Sequence, residues 1–233
     1  MTDEQSIGAK ITVFIAGDST ACDYGQSRVP QAGWGQMIGR FFDQDHVAID
    51  NRAISGRSSM SFINEGALAK ILTEIKSGDY LLIQFGHNDA KKEDPTRYSA
   101  LDTYRDYLSQ YVNGARQAGA SPVLITPVHR RSFEKGRLVS THGPYPEAVI
   151  ALAKAANVPL IDLTERSRVL FEELGEEKTK ELFLWLEPGA SVNYPEGVQD
   201  DTHFSERGAA EIAELIVRGI KELDLPLAKY IRL

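Results

Sequence analysis

Cysteine is nearly missing from this chain. Cys22 stands alone in 233 residues, which excludes intramolecular disulfides and any zinc site built on several thiolates. Folding must rest on packing. Long apolar runs are also missing, and no segment approaches the roughly 18 consecutive apolar residues of a membrane-spanning helix. Positive charge is not in excess: 26 Lys and Arg stand against 33 Asp and Glu, for a formal net charge of −7, and no basic tract is clustered. That balance argues against nucleic acid or an anionic membrane as the main partner. Repeats, low-complexity tracts and Pro/Gly/Ser-rich linkers are lacking, so one domain over residues 1–233 is expected. The opening Met1-Thr2-Asp3-Glu4-Gln5 has no basic n-region, and Ile11 to Ala16 is too short for the apolar core of a secretory signal. A cytoplasmic protein is therefore expected, and the sequence leaves its oligomeric state open.

Several chemistries are missing as well. There is no Gly-x-Ser-x-Gly elbow, no P-loop, no Gly-x-Gly-x-x-Gly fingerprint and no His-Glu-x-x-His. What is present is ordinary globular composition, 42% hydrophobic and 25% charged, in which short β-branched runs alternate with longer segments of helical period. Five strands are expected: Lys10 to Ala16, His46 to Arg52, Tyr80 to Phe85, Pro122 to Thr126 and Val158 to Asp162. Each is short and mostly apolar, as strands buried on both faces should be. Helices are expected over Gly35 to Phe42, Ser61 to Lys76, Tyr98 to Ala118, Pro144 to Ala156, Leu163 to Leu174 and Ser205 to Leu223. Residues 175–197 fit neither pattern. The alternation predicts a parallel α/β sheet wrapped by helices.

In such a sheet ligands bind beyond the carboxyl ends of the strands, so polar residues just after strands become the candidates. Gly17-Asp18-Ser19 follows the first strand, Ile54-Ser55-Gly56-Arg57 the second and Gly86-His87-Asn88-Asp89 the third, and Asp200-Asp201-Thr202-His203 precedes the last helix. Together they supply a hydroxyl, backbone donors, a carboxamide, a carboxylate and an imidazole, the inventory for acyl transfer. Ser19 is the candidate nucleophile, although a serine after a strand is also an ordinary turn or cap residue. Cys22 is the rival, read instead as a small buried hydrophobe. Asp200 and His203 are three apart, a spacing that places both on one face of a helical turn, where the acid can orient the imidazole as general base. Asp201 competes for that role. Gly56 permits close backbone approach and Asn88 offers a side-chain amide, so both are candidate oxyanion donors. His87 reads as structural or substrate-side. A metal site on these acids with His203 and His142 lacks a recognisable ligand spacing.

The ordered set Gly17-Asp18-Ser19, Gly56, Gly86-His87-Asn88-Asp89 and Asp200-x-x-His203 resembles the SGNH (GDSL-type) hydrolase superfamily, whose four blocks contribute Ser, Gly, Asn and His in that chain order. The resemblance implies a three-layer, flavodoxin-like α/β/α sandwich with a five-stranded parallel sheet. It implies Ser19 as nucleophile, His203 as base and Asp200 as its orienting acid, with the Ser19 and Gly56 N–H groups and the Asn88 side chain as oxyanion donors. No cofactor is implied. The wider wording, Ile15-Ala16-Gly17-Asp18-Ser19-Thr20-Ala21, Gly33-Trp34-Gly35-Gln36, Asn51-Arg52-Ala53, Gln84-Phe85-Gly86-His87-Asn88-Asp89 and Thr202-His203-Phe204-Ser205, is similar to the rhamnogalacturonan acetylesterases. That implies an acetylated pectic oligosaccharide as substrate; Trp34, Tyr24, Tyr145 and Tyr194 are candidates to stack on its sugar rings, with a core or loop-anchoring role as the alternative for each, and His87 is a further candidate contact. A lipid-directed esterase, lysophospholipase or thioesterase is the alternative within the superfamily, and a carbohydrate-binding module on an idle scaffold is the alternative outside catalysis.

Overall fold

The computed structural model describes residues 10–233. In chain order its strands are β1 (Ile11–Gly17), β2 (Gln31–Ala32), β3 (Val47–Asn51), β4 (Tyr80–Gln84), β5 (Ser121–Ile125), β6 (Phe133–Glu134), β7 (Arg137–Leu138), β8 (Leu160–Ile161), β9 (Phe183–Leu186) and β10 (Val198–Ser205). Five of them form one parallel sheet in the order β3-β1-β4-β5-β8. Renumbered within the sheet this is 2-1-3-4-5, the doubly wound flavodoxin order, whose direction reverses between β1 and β4.

Period-two alternation sends the side chains of β1 into two cores. Val13 and Ile15 pack with Trp34, Phe171, Ile212 and Ile216 on one face, while Phe14 and Ala16 pack with Phe62, Ile71, Tyr104 and Tyr111 on the other. The helices divide accordingly. α1 (Trp34–Met37), α6 (Leu163–Thr179) and α7 (Glu206–Glu222) cover the first face, and α2 (Ser59–Asn64), α3 (Ala67–Glu74), α4 (Leu101–Gln117) and α5 (Tyr145–Ala156) cover the second. This is the expected three-layer α/β/α sandwich. Among the described residues no helix is long and apolar enough to cross a membrane.

Several local expectations need correction. The helix expected over Ser61 to Lys76 is two: Ser58 caps α2 in a reciprocal box with Ser61, and Gly66, at φ +78°, ends that turn and starts α3. The helix expected from Gly35 continues after Met37 as a 3₁₀ turn, Ile38–Phe41. α6 runs past Leu174 to Thr179 across a kink at Gly175, and the last parallel strand is only Leu160–Ile161. Most consequential is the unassigned 175–197 segment. It contains β9, which pairs antiparallel with β10, and β10 pairs in turn with β2. This second sheet, three strands wide, has a local period too short to be read from one strand alone.

Candidate active site

Where the sheet order reverses, the chain leaves β1 through a tight turn. Ala21 and Cys22 both donate their N–H groups to the Asp18 carbonyl, and the buried Asp18 carboxylate accepts from the Thr20 N–H at 2.9 Å and the Thr20 hydroxyl at 2.8 Å. Tyr24 closes the turn from outside, its hydroxyl donating to the Ser19 carbonyl at 2.8 Å. Ser19 is thereby held just past the end of β1, where it lines a cleft. The approach of α1 requires small residues: a Cβ on Gly35 would lie 2.5 Å from the Ala21 carbonyl oxygen. Such a contact cannot be met without moving the backbone of this turn.

His203 reaches Ser19 from the second sheet. Its Nε2 lies 3.0 Å from Ser19 Oγ, and its Nδ1 lies 2.7 Å from Asp200 Oδ2. The helical turn expected for Asp200 to His203 is absent, because this segment belongs to β10. Pairing with β9 steps from Asp200–Leu184 to Phe204–Phe183, so Asp201, Thr202 and His203 bulge out of the ladder. Asp200 Oδ1 fixes the bulge by accepting the N–H groups of Thr202 and His203 at 2.8 and 2.9 Å. The spacing of three therefore juxtaposes acid and imidazole through a side-chain-capped turn rather than a helix. Burial pushes the Asp200 carboxyl up, but the hydrogen bond and charge of His203 and the two backbone donors outweigh it, leaving Asp200 below its ordinary value. Asp201 points elsewhere: its Oδ1 accepts from Arg131 Nη1 and from Trp185 Nε1, each at 2.9 Å. The Arg131 guanidinium also stacks on Trp185 and bonds the Glu176 carbonyl, so the bulge rests on a packed support.

A cleft of about 400 Å³ opens over Ser19 and His203. Gly56 and Asn88 also line it, brought there by the turns after β3 and β4. Gly56 has φ +77°, a conformation open to glycine and strained for other residues. Asn88 donates one side-chain N–H to the Arg57 carbonyl at 2.9 Å, and a carboxamide nitrogen carries a second. The backbone N–H groups of Ser19 and Gly56 have no protein acceptor among the described residues. Cys22 is buried, and burial raises its thiol to about 11, so it carries little thiolate near neutrality.

The GDSL-like lipase/acylhydrolase family model matches residues 13–216. The chain belongs to this family. It is 48% identical over 222 residues to rhamnogalacturonan acetylesterase RhgT of Bacillus subtilis, covering 95% of this chain and 94% of that protein. It is 46% identical to the probable rhamnogalacturonan acetylesterase YesY of the same organism, covering 94% and 96%. The crystal structure of Bacillus subtilis protein YxiM superposes with a TM-score of 0.81 at 29% identity, covering 94% of this chain and 58% of the YxiM chain. As a member of the GDSL-like family the chain is a carboxylic ester hydrolase.

Within this GDSL-like cleft the aromatic candidates separate. Trp34 is fully buried in the core and its indole N–H donates to Gln84 Oε1; it cannot stack on a sugar. Tyr145 is likewise buried, its hydroxyl donating to the Ser99 carbonyl at 2.6 Å with the Asp89 carbonyl 3.0 Å away. Tyr24 and Tyr194 line a second recess that shares Ser55 and His203 with the main cleft. Tyr194 is held there by Arg28 and Gln31 at 3.2 and 3.1 Å, and Asn193 is held by the Gln26 and Val29 carbonyls. The 187–197 loop is thus a cleft wall. His87 lines the cleft and is buried, with Nδ1 3.2 Å from Asp18 Oδ2. Burial pulls its imidazole below the ordinary value against the pull of Asp18. His142 packs edge-on against His87, ring centroids 4.4 Å apart, and among the described residues no group of three or more His, Cys, Asp or Glu is placed to hold a metal.

Sequence reasoning missed Lys91, Arg97 and Arg130, which also line the cleft. Arg130 follows the carboxyl end of β5 and Lys91 closes the turn after β4, so the same strand-end rule, carried to the fourth parallel strand and one turn further, would have found both.

Proposed function

We propose that this protein is a serine acetylesterase acting on acetylated carbohydrate, with acetylated rhamnogalacturonan oligosaccharides as the substrate class. The observation that carries the reading is the chain Ser19 Oγ to His203 Nε2 to Asp200 Oδ2, at 3.0 and 2.7 Å, on the floor of an open, polar cleft. It is supported by the 48% identity to a rhamnogalacturonan acetylesterase over nearly the full length of both proteins.

In the proposed reaction Ser19 Oγ attacks the acetyl carbonyl carbon while His203 Nε2 takes the hydroxyl proton. Asp200, held as a carboxylate by its partners, keeps the imidazole oriented and stabilises the imidazolium that forms. The carbonyl oxygen gains charge opposite the Ser19 and Gly56 N–H groups and the free N–H of Asn88, a preorganised set of donors that needs no reorientation. Collapse breaks the bond to the sugar oxygen, which receives the proton from His203. Water, deprotonated by the same imidazole, then attacks the acetyl-enzyme; acetate leaves and Ser19 regains its proton. The recess lined by Tyr24 and Tyr194 places two aromatic side chains beside the ester for contact with a neighbouring sugar residue. A long acyl chain would need an apolar groove, whereas this cleft is lined by hydroxyls, amides and cations.

The test is acetate release from acetylated rhamnogalacturonan oligosaccharides, acetylated xylo-oligosaccharides and a series of esters of increasing acyl length, with wild type beside Ser19→Ala. Ser19-dependent release that favours the pectic substrate supports the reading. Ser19-dependent release that favours long acyl chains keeps the mechanism and discards the carbohydrate, and binding of acetylated oligosaccharide without release discards the enzyme.

A further inference from the structure

His203 sits on a stretch of chain that its own strand does not hold. Asp201, Thr202 and His203 leave the β9–β10 ladder, and the Asp200 bonds to the Thr202 and His203 N–H groups tie this bulge to itself rather than to the rest of the molecule. Arg131 supplies the outside hold. Its backbone N–H donates to the Asp201 carbonyl at 2.9 Å and its Nη1 donates to Asp201 Oδ1 at 2.9 Å, so one residue grips the bulge by main chain and side chain together. Trp185 of β9 adds a third bond, from its indole N–H to the same Oδ1 at 2.9 Å.

The grip is itself fixed from several elements. The Arg131 guanidinium is buried, 4.9 Å from the ring centroid of Trp185 and 5.6 Å from that of Phe133 in β6, and its Nη2 donates to the Glu176 carbonyl of α6 at 2.9 Å. Burying a guanidinium is costly even when it is paired, and apolar side chains of similar volume often fill such a space with no loss of stability. The best-attested use of a buried ion pair is to select one arrangement over a competitor. Here the competitor is adjacent in the chain. Asp200 and Asp201 are neighbouring carboxylates beside one imidazole; Asp200 Oδ2 lies 2.7 Å from His203 Nδ1, while Arg131 and Trp185 occupy Asp201 Oδ1.

We infer that Arg131 is a positioning residue for the base: by clamping Asp201 it fixes the bulge so that Asp200, and not Asp201, orients His203 and Nε2 stays within reach of Ser19. The inference rests on the reading of Ser19, His203 and Asp200 given above and deepens it. Arg131 touches no reacting atom, and its effect passes through Asp201 to the backbone that carries the imidazole.

The test is steady-state turnover of an aryl acetate by wild type, Arg131→Met, Asp201→Ala, Asp201→Asn and the double variant Arg131→Met/Asp201→Ala. Thermal unfolding and the time course of labelling by a fluorophosphonate are followed in parallel. A reacting group displaced by about 1 Å costs about 10²-fold, so Arg131→Met and Asp201→Ala should each lower kcat by about 10- to 100-fold with KM little changed. Labelling should slow by the same factor and still reach one adduct per chain, because the molecules remain folded and only the base is misplaced. Residues that act as one clamp are lost once, so the double variant should be no slower than the worse single variant. Asp201→Asn keeps Oδ1 as an acceptor and should recover most of the kcat lost in Asp201→Ala. If Arg131→Met does not fold, the two Asp201 variants decide, since that side chain is 46% exposed. Unchanged kcat in Asp201→Ala, a loss carried by KM, or labelling that stops short of one adduct per chain overturns the inference and leaves the catalytic reading standing. Turnover in His203→Ala or Ser19→Ala equal to wild type overturns that reading itself.

Discussion

Asp89 offers a quantitative check that is independent of turnover. Its carboxyl is fully buried beside the cleft, with Oδ1 accepting from the Ser59 N–H at 3.0 Å and from the Ser59 hydroxyl, and Oδ2 without any partner. Burial raises it to about 7, against the lowering effect of the Ser59 hydrogen bonds. A carboxyl raised on folding is held protonated in the folded protein at a pH where the unfolded chain has already lost the proton. Its contribution to stability is therefore full below the unfolded value near 3.8 and is lost as pH rises toward 7. Between pH 5 and pH 7 the loss accrues at about 1.36 kcal/mol per pH unit, so about 3 kcal/mol in all. Asp89→Asn keeps the Oδ1 acceptor and removes the titration. Burial lowers His87 and His142, which makes them work in the opposite sense, so the informative quantity is the stability of the variant minus that of wild type. In urea titrations that difference should rise by about 3 kcal/mol from pH 5 to pH 8. A difference flat across that range would refute the protonated, buried carboxyl and the reasoning built on it.

Two further outcomes follow from the geometry. Asn88→Ala should lower kcat on an acetyl ester by about 10²–10³, the size of one oxyanion donor, with KM little changed; equal turnover removes Asn88 from the anion-binding set. Trp34→Phe should lower unfolding stability by about 1–3 kcal/mol, because Gln84 Oε1 loses its indole donor inside the core, while KM for oligosaccharide stays the same; a raised KM at unchanged stability would return Trp34 to the cleft.

The parallel sheet was legible because its strands are buried on both faces and read as short apolar runs between polar turns. The Ser19, Gly56 and Asn88 turns were legible because they follow those strands. His203 and Asp200 were legible as a pair for a reason that did not survive. Their closeness comes from a bulge in β10, set by antiparallel pairing with a distant β9, and long-range pairing leaves little trace in local periodicity. The same pairing hid the role of residues 187–197. Trp34 and Tyr145 take the core role of the two left open for them, a choice the sequence could not make because an aromatic residue near a motif has the same letter whether it packs in a core or faces a cleft. Lys91, Arg97 and Arg130 escaped because they lie several residues beyond the ends of β4 and β5, and their return to the cleft is a property of space rather than of spacing.

The central claim is that Ser19 is the nucleophile, and covalent labelling tests it most directly. Incubation with a fluorophosphonate followed by peptide mapping should place one adduct on Ser19, with esterase activity lost in proportion to labelling and no adduct in Ser19→Ala. Labelling of Cys22 or another residue, or full activity with Ser19 modified, would contradict the account.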